Sequence, residues 1–116
     1  MISRDCDKRK FIEAVQEKEW PEIIRMAREE YMKVKSFRLG QKPKLKEKPM
    51  EAQKWKNKKR AMQEYGKFVE AFLSFVRNGD MPIGISDWDF QLFRPVCQEL
   101  VEKGQFKAEV MKLFEK

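Results

Sequence analysis

The chain is 116 residues long and carries 26 Lys and Arg against 19 Asp and Glu, with no His, for a formal charge of +7; that size accommodates one domain around one core. Leu, Ile, Val and Phe make up 28 of the 116 residues, above the roughly 20 per cent below which a highly charged chain stays disordered, so residues 1–116 are expected to fold as a single helical domain. The lack of His removes Ser-His and Cys-His nucleophilic pairs, the usual near-neutral general base and every His-ligated metal site; Thr is also absent, and Ser3, Ser36, Ser74 and Ser86 fall in no nucleophile-elbow or phosphate-loop pattern.

In chain order, Met1-Ile2-Ser3-Arg4-Asp5 lacks the basic-then-apolar pattern of a secretory signal, and no apolar run approaches the length of a membrane span, so a cytoplasmic protein is expected. Cys6 stands beside Asp5 and Asp7, whose charges disfavour its thiolate. A first helix over about Asp7 to Lys18 presents Phe11, Ile12 and Val15 on one face. Pro21 opens a second helix, because its missing N–H costs nothing at the first helical position, and Ile23, Ile24, Ala27, Tyr31, Val34 and Arg38 follow at helical spacing until Gly40. Residues 40–49 form a lysine-rich connector in which Pro43 forbids regular helix.

Pro49 restarts the helix, and the pattern runs to Asn78-Gly79. About 30 residues at 1.5 Å rise span roughly 45 Å, whereas a compact chain of this length is a sphere about 35 Å across, with a radius of gyration near 13 Å. The third helix is therefore expected to project beyond the body. Its apolar face gathers Met62, Tyr65, Val69, Phe72, Leu73 and Val76; continued toward the N-terminus, the same face brings up Lys58 and Lys54, with Trp55 at its edge. Ser86 then reads as an N-cap with Asp89 three residues on, flanked by Ile85 and Phe90 in the positions of a hydrophobic staple. Asp87 and Asp89 belong to that first turn, where carboxylates serve the free N–H groups and the dipole. Pro95 is expected to kink this fourth helix or split it after Phe93. Val96, Cys97, Leu100 and Val101 continue the buried face, with Cys97 as a small buried hydrophobe. Gly104 ends it, and Phe106, Val110, Leu113 and Phe114 make a short terminal helix. The predicted fold is all-α, with about five helices around one core.

Charge is distributed unevenly along this plan. Between Lys33 and Arg60 there are twelve cations against only Glu47 and Glu51, net +10 in 28 residues, while the remaining 88 residues carry 14 cations and 17 anions. Lys42, Lys44, Lys46 and Lys48 on the connector, with Lys54, Lys56, Lys58, Lys59 and Arg60 on the projecting helix, concentrate positive potential at one end of the molecule. Such an end suits a polyanion, nucleic acid first among them, bound through phosphates without strong sequence specificity; Trp55, between Lys54 and Lys56, suits stacking on an unpaired base. The competing structural role for the same residues is a solvated loop, with Trp55 packed on its own protein and lysines arranged around it.

A different class of function uses the same helix. Trp55, Met50, Met62 and Tyr65 can form a contact patch for an acidic partner protein or a second copy of the chain, rimmed by the lysines. An anionic membrane surface is a poorer fit, since lysines share the face of the few apolar residues. An enzyme would have to work with carboxylates, lysines and tyrosines; Glu13 and Glu17 share a helix face, as Glu22 and Glu29 do more loosely, and such carboxylates can hold Mg²⁺, although Glu29 has Lys33 four residues on to pair with. Tyr31 and Tyr65 fall on apolar stripes and are expected to pack in the core with satisfied hydroxyls. No cofactor is implied, and no motif is specific enough to name a family. The expected protein is a non-enzymatic binding domain with a basic arm over residues 33–60.

Overall fold

A computed structural model describes residues 7–37 and 40–115 of the chain; the expectations for Met1 to Asp5, for Cys6 and for Arg38 lie outside the described residues. Among those residues the fold is all-α, with five α-helices and one 3-10 helix. Helix α1 spans Lys8–Val15, α2 Trp20–Ser36, α3 Pro49–Asn78, α4 Asp87–Gln91 and α5 Arg94–Glu102, followed by the 3-10 segment Ala108–Phe114. The Asp7 carboxylate caps α1 by accepting from the backbone N–H groups of Arg9 and Lys10, and Phe11, Ile12 and Val15 are buried as their spacing predicts. The helix ends at Val15, not near Lys18, because Glu17 takes a left-handed φ of 65°. That turn is held from outside: the Glu17 N–H donates to Glu99 Oε2 at 2.7 Å, and Lys103 Nζ donates to the Lys18 carbonyl at 2.9 Å.

Helix α2 starts with Pro21 in its first turn and buries Ile23 and Ala27. The Trp20 indole N–H donates to the Val76 carbonyl at 2.7 Å, satisfying one of the carbonyls that α3 leaves unpaired in its last turn. The end of α2 falls at Ser36, four residues before Gly40, with the Ser36 hydroxyl donating back to the Met32 carbonyl at 2.8 Å. Such back-bonding offers the backbone an alternative to continuing the helix.

Two features explain α3. Pro49 lies in its first turn, and Gly79 closes it in the left-handed region at φ 73°, its N–H donating to the Phe75 carbonyl at 2.7 Å. From Tyr65 onward the helix is clamped in the core, and its buried face is wider than the predicted stripe, taking in Phe68, Ala71 and Phe75 as well as Tyr65, Val69, Phe72 and Val76. Before Tyr65 only Ala52 is buried. Eight of the phenylalanines form one connected cluster, Phe37 standing apart in the outer part of the molecule: Phe72 meets Phe11 and Phe93 edge-on at 5.3 and 5.1 Å, Phe68 meets Phe93 at 5.1 Å, and Phe75 lies 5.5 to 5.8 Å from Phe90, Phe93, Phe106 and Phe114.

The C-terminal part wraps that cluster. Ser86 Oγ accepts from the Asp89 N–H at 3.2 Å, with Phe90 buried and Ile85 packed on the core, as the staple predicts. Asp89 also reaches across the chain, accepting from Lys8 Nζ at 2.9 Å. The chain breaks between α4 and α5 with Pro95 in the first turn of the second piece, so the predicted fourth helix is split at Phe93. At the end of α5 the Gly104 and Gln105 N–H groups donate to the Val101 and Leu100 carbonyls at 3.0 and 2.9 Å, with Gly104 at φ 80°, a Schellman closure. The short terminal helix is of the 3-10 type. Its rise of about 2.0 Å per residue, against 1.5 Å, lets the segment span from Phe106 on Phe75 to Phe114, which stacks on Phe90 at 4.4 Å.

The molecule measures 57 × 29 × 19 Å with a radius of gyration of 16.5 Å, well above the compact value of about 13 Å. The long third helix projects as expected, but it does not project alone, because α2 runs beside it. The position of Phe75 at the centre of the cluster predicts that Phe75→Ala lowers unfolding stability by about 3–5 kcal/mol in urea denaturation. Trp88→Ala, at a side chain 73% exposed, should change stability by no more than about 0.5 kcal/mol.

Candidate nucleic-acid interface

The first half of α3, the connector and the last turns of α2 make a hairpin-shaped arm. The two helices come close at Gly66, where an added Cβ would lie 3.3 Å from Val34 Cγ1. Glycine inside a helix sacrifices propensity, and here the missing side chain lets α2 and α3 come together. Further out, the Trp55 indole N–H donates to the Gly40 carbonyl at 3.3 Å, tying the start of the connector to α3. The connector then turns through Lys44 to Lys48, the Lys48 N–H donating to the Lys44 carbonyl at 2.8 Å, and the Ala52 N–H bonds back to Lys48 to start the helix.

Between the two helices lies an open groove of about 520 Å³. Tyr31, Val34 and Phe37 of the α2 side face Trp55, Met62 and Gly66 of α3 across it, with Lys35, Lys59 and Gln63 also in the lining. Trp55 is thus half-buried in its own arm, and Met62 shares that groove. Tyr65 is 2% exposed, with its hydroxyl donating to Glu30 Oε1 at 2.9 Å. Met50, Trp55, Met62 and Tyr65 therefore do not form one surface patch: Met50 is 74% exposed, two face the groove and one is in the core. The start of α3, expected to lack intramolecular support, has it from α2 and from the connector.

Each aromatic ring of the arm carries an ammonium group. Lys35 Nζ lies 5.4 Å from the Tyr31 ring centroid, Lys58 Nζ 5.5 Å from Phe37 and Lys59 Nζ 5.2 Å from Trp55. Lys58 is half-buried in this arrangement, while Lys42, Lys44, Lys46, Lys48, Lys54, Lys56, Lys59 and Arg60 are exposed. Lys48 pairs with Glu51 at 3.8 Å, both well exposed, a contact worth little in water. Among the described residues, no carboxylate lies within ion-pair distance of Lys42, Lys44, Lys46, Lys54, Lys56 or Arg60. Long stems leave these charges free to follow an extended anion.

The acidic residues are arranged differently from the expected carboxylate pairs. Glu13 and Glu17 do not share a helix face, because α1 ends between them and Glu17 is in the left-handed turn. Glu29 pairs with Arg25 Nη1 at 2.7 Å, not with Lys33, and Glu22 binds the same guanidinium. That guanidinium holds the Glu22 carboxyl below its ordinary range, chiefly through the hydrogen bond, and the two carboxylates in turn raise Arg25. Among the described residues, no group of three or more Cys, Asp and Glu side chains is placed to hold a metal ion. No described helix is long and apolar enough to cross a membrane.

The groove itself was not visible in the sequence as a site. Its α2 wall came from Tyr31 and Val34, which read as core, and its floor from an isolated Gly66 inside a helical pattern, the one local signal of a close approach. No known protein family, curated protein or solved structure matches the chain.

Two outcomes test this description. Gly66→Leu should force Val34 away and open the arm, seen as faster amide hydrogen exchange over residues 30–36 and 50–62, with exchange in Phe68–Val76 retained. Burial pushes the Cys97 thiol up to about 11. In a Cys6→Ser background, Cys97 should therefore resist a thiol reagent at pH 8 until denaturant is added. Since the folded thiol titrates above its unfolded value, this contribution to stability is full below about pH 8.5 and is lost as pH rises through 11.

Proposed function

We propose that this protein is a non-enzymatic, cytoplasmic binder of nucleic acid that holds the phosphate backbone with the basic arm over residues 33–60 and reads little or no sequence. The observation that carries the proposal is the juxtaposition of twelve cations and two anions in 28 residues with a projecting hairpin on which most of those lysines are exposed. Lysine ammonium groups on flexible stems act as point charges toward phosphate and carry no base-reading fork. The 57 Å long axis exceeds by about 22 Å the roughly 35 Å diameter of a sphere of the same mass, so an extended polyanion can lie along the arm without meeting the net-negative remainder of the chain.

The test is a salt titration of duplex binding. With about six lysines each meeting a phosphate, the logarithm of the association constant should fall against the logarithm of salt with a slope near five. The variant Lys54→Gln, Lys56→Gln, Lys58→Gln, Lys59→Gln should bind more weakly, with the slope reduced by about three. Binding that is insensitive to salt, or equal for the two proteins, overturns the proposal.

A further inference from the structure

Phosphate binding alone needs no apolar groove, yet the most cationic part of the molecule contains one. Tyr31, Phe37, Trp55 and Met62 line it, and Lys35 and Lys59 stand in the same lining. A ligand that uses both features has flat apolar faces joined to a negative backbone. We infer that the groove between α2 and α3 seats unpaired bases, so that the nucleic acid held by the arm is single-stranded; this rests on the polyanion proposal above and narrows it to one class.

The chemistry of the ring and lysine pairs supports this assignment. In the free protein Lys59 rests 5.2 Å from the Trp55 ring and Lys35 5.4 Å from the Tyr31 ring. These contacts are weak where the ammonium stays wet. When a nucleotide enters, the Lys59 ammonium exchanges the Trp55 ring for a phosphate and a base takes the vacated face. One weak contact is replaced by a charge-assisted bond and a stacking contact. The two walls are held close where Gly66 meets Val34, and the lining from Trp55 to Gly66 runs about 17 Å along α3, a slot rather than a bowl. A duplex keeps its base faces stacked against each other and offers the slot nothing flat. The Trp55 N–H is already committed to the Gly40 carbonyl, so the indole offers a face and no hydrogen bond to select one base over another.

The deciding comparison is between an oligothymidylate of about twelve nucleotides and an abasic strand with the same number of phosphates, each bound to the whole chain and read by fluorescence anisotropy. The base-bearing strand is expected to bind at least about tenfold more tightly. Tyr31→Leu, which keeps apolar bulk, removes a flat face and leaves the Trp55 tie to Gly40 in place, should abolish most of that preference and leave the abasic affinity and its salt slope unchanged. Trp55→Leu, which also cuts that tie, is read for the loss of the preference alone, with the same expectation. Equal affinity for the two strands, or a preference that survives both variants, overturns the base seat while leaving phosphate binding standing. Absence of binding to either strand removes both proposals.

Discussion

The clamping of one half of α3 by phenylalanines is the constraint from which the rest of the structure follows. Phe68, Phe72 and Phe75 are fully buried, and their rings meet those of Phe11, Phe90, Phe93, Phe106 and Phe114. A helix is stiff over this length, so fixing its second half fixes the direction of its first. Thirty residues are more than one small core can cover. The excess stands away from the body, and only α2 is long enough to accompany it.

That accompaniment determines what the arm can be. Two helices that approach at a glycine and then carry Tyr31, Phe37 and Trp55 toward each other leave a slot instead of a sealed interface. Larger aliphatic residues at those positions would have extended the core outward. Aromatic residues with lysines over their rings stop short of that, since the ammonium groups keep water near and the rings accept them weakly. Ala52 is nevertheless fully buried near the tip, so the outer arm is folded structure with its own small interior.

Crowding of like charge gives the arm its tension. Twelve cations against two anions share 28 residues of sequence, and like charges on one narrow hairpin repel over about the ~8 Å screening length of physiological salt. Their repulsion is a cost to the folded arm, met by the helix pairing and by the core that anchors it. An anion laid along the arm relieves this repulsion. Elsewhere Asp89 pairs with Lys8, and Glu22 and Glu29 with Arg25; none of these carboxylates lies on the arm.

Features governed by neighbouring residues were legible from the residues alone. The proline starts, the Ser86 cap, the break at Pro95, the Gly104 closure, the burial of Cys97 and the length of the third helix depend on backbone geometry and apolar spacing over a few positions. The asymmetry of charge is a count and needs no coordinates. Contacts between distant segments were beyond that reach. Glu99 holds the turn that ends α1, a 3-10 segment stretches between two phenylalanine contacts, and the end of α2 covers the start of α3. No local preference encodes such partners, because each depends on where another element arrives in space. The amino-acid order therefore specified a long cationic rod, and packing alone turned that rod into one wall of an aromatic groove.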